Sequence, residues 1–329
     1  MMACAVPSAA IGHPDHAGRL AAAVPPPRTV VIARKFGQLA NRLILFAHWI
    51  AYGREHGVRI LNPSFVEYAP FFRATSRDLW CQYPPQEGGD TVAPWVRHCL
   101  YQSVYLPVRL LAHLRCTAFP VRIIRLRQDE PCDLDGAEFQ KLVAGRRQVC
   151  IQGWAFRTAQ HLLPHADAIR AHFRPVPEHE AAVERLIAAA RAGTDCLVGV
   201  HIRHGDFATF LGGKYFYQLH QYHDVMKRIE RLLAPCRVRF LACSNASWTP
   251  ALFTGCDVSA GTGHLVEDLY ALARCDYLVG PPSTYTAWAS FYGQVPLCHL
   301  EIAEQPLSLA SFHNDAYRSA GPVSAVRPG

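Results

Sequence analysis

The stretch CLVGVHIRHGD at residues 196–206 decides the fold class. Its first seven residues are apolar or small apart from His201, and such a run is typical of a strand buried on both faces of a parallel sheet. The charged residues follow only where the run ends. Because ligands bind beyond the carboxyl ends of strands in open α/β sheets, the stretch predicts an α/β fold with a ligand site at this strand end.

Strands and helices alternate on the carboxyl side of this stretch, which predicts βαβ units and a parallel sheet. Apolar runs predict further strands at 238–243, 277–280 and 295–298. Helical periodicity predicts helices at 215–233, 265–274 and 283–292. We therefore expect a Rossmann-like domain in this half of the chain.

The amino-terminal half begins with a unit of the same kind. A strand is predicted at 29–33, a helix from Asn41 to Gly57, and further strands at 58–61 and 149–153, whereas 70–148 gives no clear assignment. Prolines at 175 and 177 predict a domain boundary. The predicted organisation is a disordered tail at 1–28, an N-terminal Rossmann-like domain at 29–176, a C-terminal one at 177–312 and a tail at 313–329.

Composition excludes several classes of protein. Half of the 329 residues are hydrophobic and 18% are charged, which excludes a disordered chain. No apolar run approaches the roughly 18 residues that a membrane-spanning helix needs. The first charged residues, Asp15 and Arg19, do not form the basic start of a secretory signal. Twelve cysteines without a CxxC pair are expected to be reduced thiols, and we predict a cytoplasmic protein.

The net charge of +7 selects no partner by itself, but its distribution is uneven. Residues 91–128 contain no acid, and leucines and aromatics are interleaved there with six arginines: Arg97, Arg109, Arg115, Arg122, Arg125 and Arg127. This composition is typical of a basic amphipathic segment at the inner surface of an anionic membrane. The alternative is a pair of helices with solvated arginines. No nucleic-acid partner is predicted.

Three chemistries are open to the residues after the strand at 196–202. His201 and Arg203 point to the same side as the strand ends, and an arginine there can donate two parallel hydrogen bonds to a phosphate. Arg203 could instead form a structural ion pair with Asp206. The third reading is a metal site made by His201, His204 and Asp206, although the arginine between them would repel a cation.

The sequence YLVGPPSTYT at 277–286 predicts a strand, a tight turn and the start of a helix. Ser283 or Thr284 is a natural N-cap for that helix. Backbone N–H groups at a helix start, together with two hydroxyls, form an anion site. The alternative is a well-capped helix without a ligand.

Two further segments offer candidates. Asp268 lies among apolar residues of a predicted helix, where its carboxylate could accept hydrogen bonds from a purine edge or simply be solvated. Gly37 and Asn41 belong to FGQLANR at 36–42, between the first strand and its helix, where a sugar or phosphate would lie. Asn41 could also be only the N-cap of that helix.

Taken in order along the chain, three of these segments resemble one family. VGVHIRHGDF at 198–207 is similar to the HxRxxD motif of the GDP-fucose-dependent fucosyltransferase superfamily, which includes α-1,2-, α-1,6- and protein O-fucosyltransferases. Residues 265–293 and FGQLANR look like its other motifs, although Ala40 stands where many members have glycine. The resemblance spans residues 29–300 or so.

The resemblance implies a GT-B architecture, in which two Rossmann-like domains face a cleft. It also implies an inverting glycosyltransferase that moves fucose from GDP-fucose to a glycan, with no metal and no cofactor besides the donor substrate. In the donor site, His201 would contact the nucleoside, Arg203 would hold the β-phosphate, and Asp268 would read guanine.

The remaining implied roles concern the diphosphate and the reaction. Ser283 and Thr284 would bind the diphosphate, while Gly37 and Asn41 would approach from the other domain. Some relatives place a glutamate soon after HxR, but residues 207–214 contain no acid. Asp206 is then the nearest carboxylate that could act as a base, and an SN1-like reaction in which the departing phosphate takes the proton is the alternative.

Two other functions remain open at this point. The first is transfer from another nucleotide sugar such as GDP-mannose. The second is a degenerate protein that binds a nucleotide sugar or glycan without catalysis. The expected acceptor is a cell-surface oligosaccharide or a lipid-linked glycan.

Overall fold

The computed structural model describes residues 28–86, 88–114, 121–127 and 130–314. The predicted tails at 1–28 and 313–329 therefore fall almost entirely outside the described residues. Two parallel sheets account for most of the strands, and helices cover both faces of each sheet. This arrangement confirms the predicted α/β fold with two Rossmann-like units, while the division at 176/177 stays a prediction.

The first sheet has the strand order β2-β1-β5-β3, and all of its pairs are parallel. Its half of the chain contains β1 (Thr29–Ile32), α1 (Leu39–His56), β2 (Arg59–Leu61), α2 (Pro94–His113), β3 (Val121–Arg125), β4 (Cys132–Asp133), α3 (Ala137–Val143), β5 (Gln148–Gln152), β6 (Phe156–Arg157) and α4 (Ala166–His172). Strands β4 and β6 form a separate parallel pair.

Helix α1 is buried nearly all round, because it lies between the first sheet and the second half of the chain. Its Trp49 and Phe46 are fully buried among aromatic side chains, and Gly57 ends it in the left-handed conformation at φ 65°. The helix begins at Leu39 with Gln38 as N-cap, so the prediction that Asn41 opens or caps it is wrong.

Helix α2 covers the other face of the first sheet, where Val108 packs with Val31. Its Arg97 is fully buried and donates hydrogen bonds to the carbonyl oxygens of Thr75, Ser76 and Asp78, at 2.6 to 3.0 Å. The arginine-rich pattern predicted that Arg97 belongs to a basic surface. This prediction is wrong, because the side chain is buried. Of the other five arginines, Arg115 lies outside the described residues.

The second sheet has the strand order β11-β10-β7-β8-β9, again wholly parallel. Its elements are α5 (Pro177–Arg191), β7 (Cys196–Ile202), α6 (Leu219–Leu232), β8 (Val238–Ser244), β9 (Val258–Ala260), α7 (Leu265–Leu272), β10 (Tyr277–Gly280), α8 (Thr284–Gly293) and β11 (Leu297–His299). Strand β7 is central and buried along its whole length, as its unbroken apolar run predicted.

The two halves meet through helices. Helix α8 packs on α1, and the Trp288 ring of α8 meets Phe173 at 5.2 Å between centroids. Arg170 donates two hydrogen bonds to the carbonyl oxygen of Phe291, and the hydroxyl of Tyr270 donates one to that of Phe173. The elements that follow β1 and β10 are thereby held against each other. Among the described helices, none is long and apolar enough to cross a membrane.

Candidate functional site

The carboxyl end of β7 brings together two of the predicted motifs. The imidazole of His201 is buried, stacks on the ring of Tyr285 at 4.8 Å between centroids, and places Nδ1 3.5 Å from Oγ of Ser283. Burial, reinforced by the charge of Arg203, lowers the pKa of His201 to about 3. The imidazole is therefore neutral near pH 7, and it can donate one hydrogen bond and accept another without carrying a charge.

The two strands that carry these motifs approach each other closely. A Cβ atom placed on Gly280, the last residue of β10, would lie 2.9 Å from the carbonyl oxygen of His201 and 3.0 Å from its Cβ. Only glycine allows this separation without a shift of the backbone. Gly280, which precedes the two prolines, is thus required by its close approach to the backbone of His201. This requirement could not be inferred from the neighbouring sequence.

Ser283 is the N-cap of α8, as predicted. Its Oγ accepts a hydrogen bond from the N–H of Thr286 at 3.2 Å and lies 3.1 Å from the Thr286 hydroxyl. Thr284 is the first residue of the helix and is half-buried. The cap accounts for the hydroxyl of Ser283 but not for that of Thr284. The first turn of this ten-residue helix lies directly beside His201, and the start of a helix is a place where anions bind.

Arg203 follows β7 and is half-buried beside Phe207, with the guanidinium carbon 4.9 Å from the ring centroid. Its backbone N–H donates to the hydroxyl of Tyr222 at 3.3 Å. The short 3-10 helix Gly205–Ala208 comes next. The side chain of Asp206 lies outside the described residues, so its predicted roles as base, ion-pair partner or metal ligand stay predictions.

Asn245, which sequence reasoning missed, fixes the loop after β7. Its Oδ1 accepts from the N–H of His204 at 2.9 Å and its Nδ2 donates to the carbonyl of His204 at 3.2 Å. The Nε2 of His204 lies 2.9 Å from the carbonyl oxygen of Tyr217 and must carry a proton to bond it. This nitrogen is therefore not a metal ligand, whereas Nδ1 could be one, and the metal reading of the motif stays a prediction.

Asp268 lies in the first turn of α7 and is buried, so the reading as a solvated acid is wrong. Its Oδ1 accepts from the N–H of Gly263 at 3.3 Å and from Oγ1 of Thr262 at 3.4 Å. Burial raises the pKa of Asp268, and these hydrogen bonds partly oppose the shift. The carboxylate ties α7 to the loop after β9, and recognition of guanine stays a prediction.

The loop after β1 and the first turn of α1 carry the other two candidates, Gly37 and Asn41. Gly37 has φ +59°, and a Cβ placed on it would lie 1.9 Å from Nδ2 of Asn41. The amide of Asn41 is therefore folded directly over Gly37 rather than capping α1. Among the described residues, no hydrogen bond joins Asn41 to His201, Ser283 or Asp268, and its approach to the donor site stays a prediction.

Glu67 organises this loop and has no signature in the sequence. Its carboxylate accepts from Lys35 at 2.6 Å and from Arg42 at 2.7 Å, while Nε of Arg42 donates to the carbonyl of Gly37 at 3.2 Å. Burial acts to raise the pKa of Glu67, but the two cations outweigh it and hold that pKa below its ordinary value. A carboxylate that stays ionised between two cations is a weak proton acceptor. Its role is to position the loop.

The sequence also contains an Asp-x-Asp pair, Asp133 and Asp135, whose two carboxylates are of the type that can hold a metal. Oδ1 of Asp133 accepts from the N–H of Asp135 at 3.0 Å. Oδ2 of Asp135 accepts from Oγ1 of Thr158 at 2.7 Å and from the N–H of Gln160 at 3.2 Å. Both carboxylates thus bind their own loops, on the separate β4–β6 pair.

A different group of side chains comes together between α5 and α7. His179, His264 and Glu267 offer ligand atoms that all lie within 4.8 Å of one another. Nδ1 of His179 is 2.8 Å from Oε1 of Glu267, and Nδ1 of His264 accepts from the N–H of Val266 to cap α7. These existing bonds, at the positive ends of two helices, account for the cluster without a cation.

No protein-family model matches the sequence, and no curated protein matches it significantly. Solved structures match the fold. The complex of an Arabidopsis thaliana FUT1 mutant with GDP has a TM-score of 0.54 at 14% identity, over 88% of this chain and 74% of that chain. Fucosyltransferase NodZ from Bradyrhizobium has a TM-score of 0.50 at 16% identity, over 83% of this chain and 95% of that chain.

NodZ α-1,6-fucosyltransferase co-crystallised with GDP matches to the same degree, with a TM-score of 0.50 and 16% identity over 83% and 94% of the two chains. At these identities the comparison concerns the fold. The predicted two-domain architecture of the fucosyltransferases is the architecture of this chain.

Proposed function

We propose that this protein is a glycosyltransferase that moves fucose from GDP-fucose to a glycan. The observation that carries the proposal is the contact between His201 at the end of the central strand and Ser283 at the start of α8. Both residues belong to segments that resemble fucosyltransferase motifs, and the fold is similar to structures of FUT1 and NodZ that hold GDP.

The donor would lie at the carboxyl ends of β7 and β10. The first turn of α8, with Ser283 and Thr284, supplies N–H groups and hydroxyls for a diphosphate. Arg203 adds a cationic group that can hold a phosphate through two hydrogen bonds. His201 is neutral and buried, which suits a hydrogen bond to the nucleoside rather than to a charged group. Asp268 would recognise guanine.

The chemistry requires stabilisation of the leaving GDP. As the sugar–phosphate bond breaks, negative charge grows on the β-phosphate, where Arg203 and the start of α8 can stabilise it. These groups do the work of a divalent cation, which supports the proposal of a metal-independent reaction. Either Asp206 or the departing phosphate would accept the acceptor proton. Asn41, held over Gly37, would approach the reacting sugar from the first half of the chain.

The acceptor would be a cell-surface oligosaccharide or a lipid-linked glycan, and the protein would act in the cytoplasm at the inner face of a membrane. The cysteines support a reducing compartment, because the ten in the described residues are all free. Contact of residues 91–128 with an anionic membrane is part of the proposal. Arg97 takes no part in this contact, because its side chain is buried.

The experiment that tests the proposal is an assay of GDP release from GDP-fucose, GDP-mannose and GDP-glucose in the presence of a glycan array. Acceptor-dependent GDP release with GDP-fucose alone is expected. Turnover of GDP-mannose instead would assign a different donor. Tight GDP-fucose binding without turnover on any acceptor would assign a binding protein.

A further inference from the structure

The outer surface of α2 carries a ridge of exposed apolar side chains. Trp95 is 70% exposed, Leu106 55%, Leu110 58% and Leu114, at the end of the helix, 62%. Leu106, Leu110 and Leu114 follow each other at intervals of four residues, and Trp95 precedes Leu106 by eleven, about three helical turns. All four therefore lie along one line, which we call the α2 ridge.

The ridge does not belong to the core of the protein. The opposite side of α2 already packs on the first sheet through Arg97, Tyr101 and Val108, which are buried. Large apolar side chains that are exposed together on one side of a helix are a feature of binding surfaces. Nothing in the GDP-fucose chemistry requires it, because its residues point away from the sheet.

The segment that contains the ridge carries charges of one sign. No acidic residue occurs from 91 to 128, and Arg109 on the helix is exposed, as are Arg125, the last residue of β3, and Arg127. Helix α2 runs antiparallel to the strands, since Tyr101 lies under Lys35 beyond the carboxyl end of β1 and Val108 lies against Val31. Its end therefore reaches the amino edge of the sheet.

That edge is also basic. Arg28 precedes β1, Arg59 begins β2 and Arg147 precedes β5, and the register pairs Thr29 of β1 with both neighbouring strand starts. Arg28, Arg59 and Arg147 are all exposed. The apolar ridge is thus accompanied by one exposed arginine on the helix, Arg109, and by exposed arginines at the sheet edge that its end approaches.

We propose that the α2 ridge lies in the surface of an anionic lipid bilayer, with its leucines and Trp95 among the acyl chains and the arginines at the phosphates. A second copy of the chain is a poorer occupant, because a symmetric contact would bring two acid-free, arginine-rich faces together. Residues 1–27 contain one acid, Asp15, and offer no complementary charge. A bilayer with anionic headgroups supplies both the apolar phase and the opposite charge.

The proposal differs from attachment by arginines alone in what it predicts for the leucines. Arginines attract the surface and are screened by salt, whereas the ridge adds apolar burial that salt does not screen. Removal of the ridge should therefore abolish binding even when every arginine is present. This inference rests on the membrane contact in the proposed function and names the side chains that make it. It does not depend on the donor sugar, so its test needs no turnover, and fucosyl transfer can fail or succeed separately.

The test is co-sedimentation of the full chain with vesicles of phosphatidylcholine alone or with 30% phosphatidylglycerol. The ridge variant is Leu106→Asp/Leu110→Asp. Its matched control is Leu252→Asp/Ile302→Asp, which changes two apolar residues of equal exposure, 55% and 61%, elsewhere on the surface. Circular dichroism establishes that both variants fold.

We expect wild type and control to pellet with the anionic vesicles, and the ridge variant to bind at least ten-fold more weakly. Arg125→Gln/Arg127→Gln should weaken binding to a smaller extent and reduce its salt dependence. Equal binding of ridge variant and control would overturn the proposal, as would absence of pelleting with either vesicle. A wild-type dimer that the ridge variant dissociates would assign the ridge to a second copy instead.

Discussion

The side-chain amide of Asn245 forms two hydrogen bonds with the backbone of His204, accepting from its N–H and donating to its carbonyl. Asn245 follows β8, and His204 follows β7, so the amide joins the ends of two adjacent strands. Arg203 immediately precedes the residue that is held. The position of the proposed phosphate-binding arginine thus depends on a side chain from the neighbouring strand.

Asn245→Ala should lower turnover by about ten-fold or more, because small misplacements of a charge-stabilising group are costly. The stability cost should be small, about 1 kcal/mol for exposed hydrogen bonds. Steady-state kinetics and thermal melting measure the two effects. Ser247→Ala, at an exposed position on the same loop, is the control. Unchanged turnover in Asn245→Ala would show that the clamp does not serve catalysis.

Arg203→Ala should reduce transfer by about 10²–10³-fold, the usual loss when one group that stabilises transition-state charge is removed. Arg203→Lys should also be substantially impaired, because an ammonium cannot replace the planar fork of a guanidinium. Melting curves should remain close to wild type. The measurement is kcat/KM for the donor, and near-normal values in either variant would remove Arg203 from the phosphate site.

Gly37→Ala should lower transfer by the same factor as Asn41→Ala, because the added methyl group displaces the Asn41 amide that lies over it. The double variant should be no worse than either single one, since both changes remove the same group. Gly57→Ala is the matched control: its φ of +65° imposes similar strain, but no atom lies within 4 Å of the added carbon. It should lose about 1 kcal/mol of stability and keep its activity. Additive losses of activity in the double variant would show that Gly37 and Asn41 act independently.

His172→Phe should make the protein less sensitive to acid. Burial lowers the pKa of His172 to about 3, and neither ring nitrogen has a hydrogen-bond partner in the described structure. The folded pKa is below the unfolded value, so the unfolded chain binds the extra proton, and stability falls as the pH drops from about 6.5 towards 3. At pH 5 this effect is about 2 kcal/mol for one such histidine.

Urea unfolding at pH 8 and pH 5 measures the difference. The wild type should lose more stability between the two pH values than His172→Phe, in which phenylalanine fills a site already lined by Phe46, Phe173 and Tyr83. His201 should contribute in the same pH window, for the same reason. Identical losses in wild type and variant would mean that His172 is not the group that titrates.

Chelation should leave transfer unchanged, because Arg203 and the first turn of α8 supply the positive charge. Asp133→Asn/Asp135→Asn should destabilise the β4–β6 loops without creating or removing a metal requirement. The readout is GDP release with and without EDTA, followed by addition of manganese. Activity that disappears with EDTA, returns with manganese and is lost in the double variant would assign the Asp-x-Asp pair to catalysis.

Strands with unbroken apolar runs could be predicted from the sequence to the residue, as at 196–202 and 277–280, because burial on both faces leaves no other choice. Region 70–148 could not. In α2 the usual pattern is reversed, with Arg97 inside and Trp95 with its leucines outside, so the sequence pattern gave no assignment there. The arginine is tolerated inside because three carbonyl groups accept hydrogen bonds from its two terminal nitrogens.

The candidate site divides in the same way. His201 and Ser283 could be placed together because parallel strands end at one edge of a sheet. Asn245 and Glu67 could not, since each acts on partners that are 25 to 41 residues away along the chain and carries no local motif. The residue type of Asn41 fits both a cap and a ligand site, and only the structure places its amide over Gly37.

The packing of α8 on α1 has a consequence for the order in which substrates combine. Helix α8 starts at the proposed diphosphate site, and α1 starts at the loop that holds Asn41. Because the two helices are in contact, any shift of α8 on donor binding would be transmitted to α1. An acceptor pocket that includes the start of α1 would then be complete only after the donor has bound. Initial-rate kinetics should accordingly follow a compulsory order, with the nucleotide sugar first and GDP as the last product to leave.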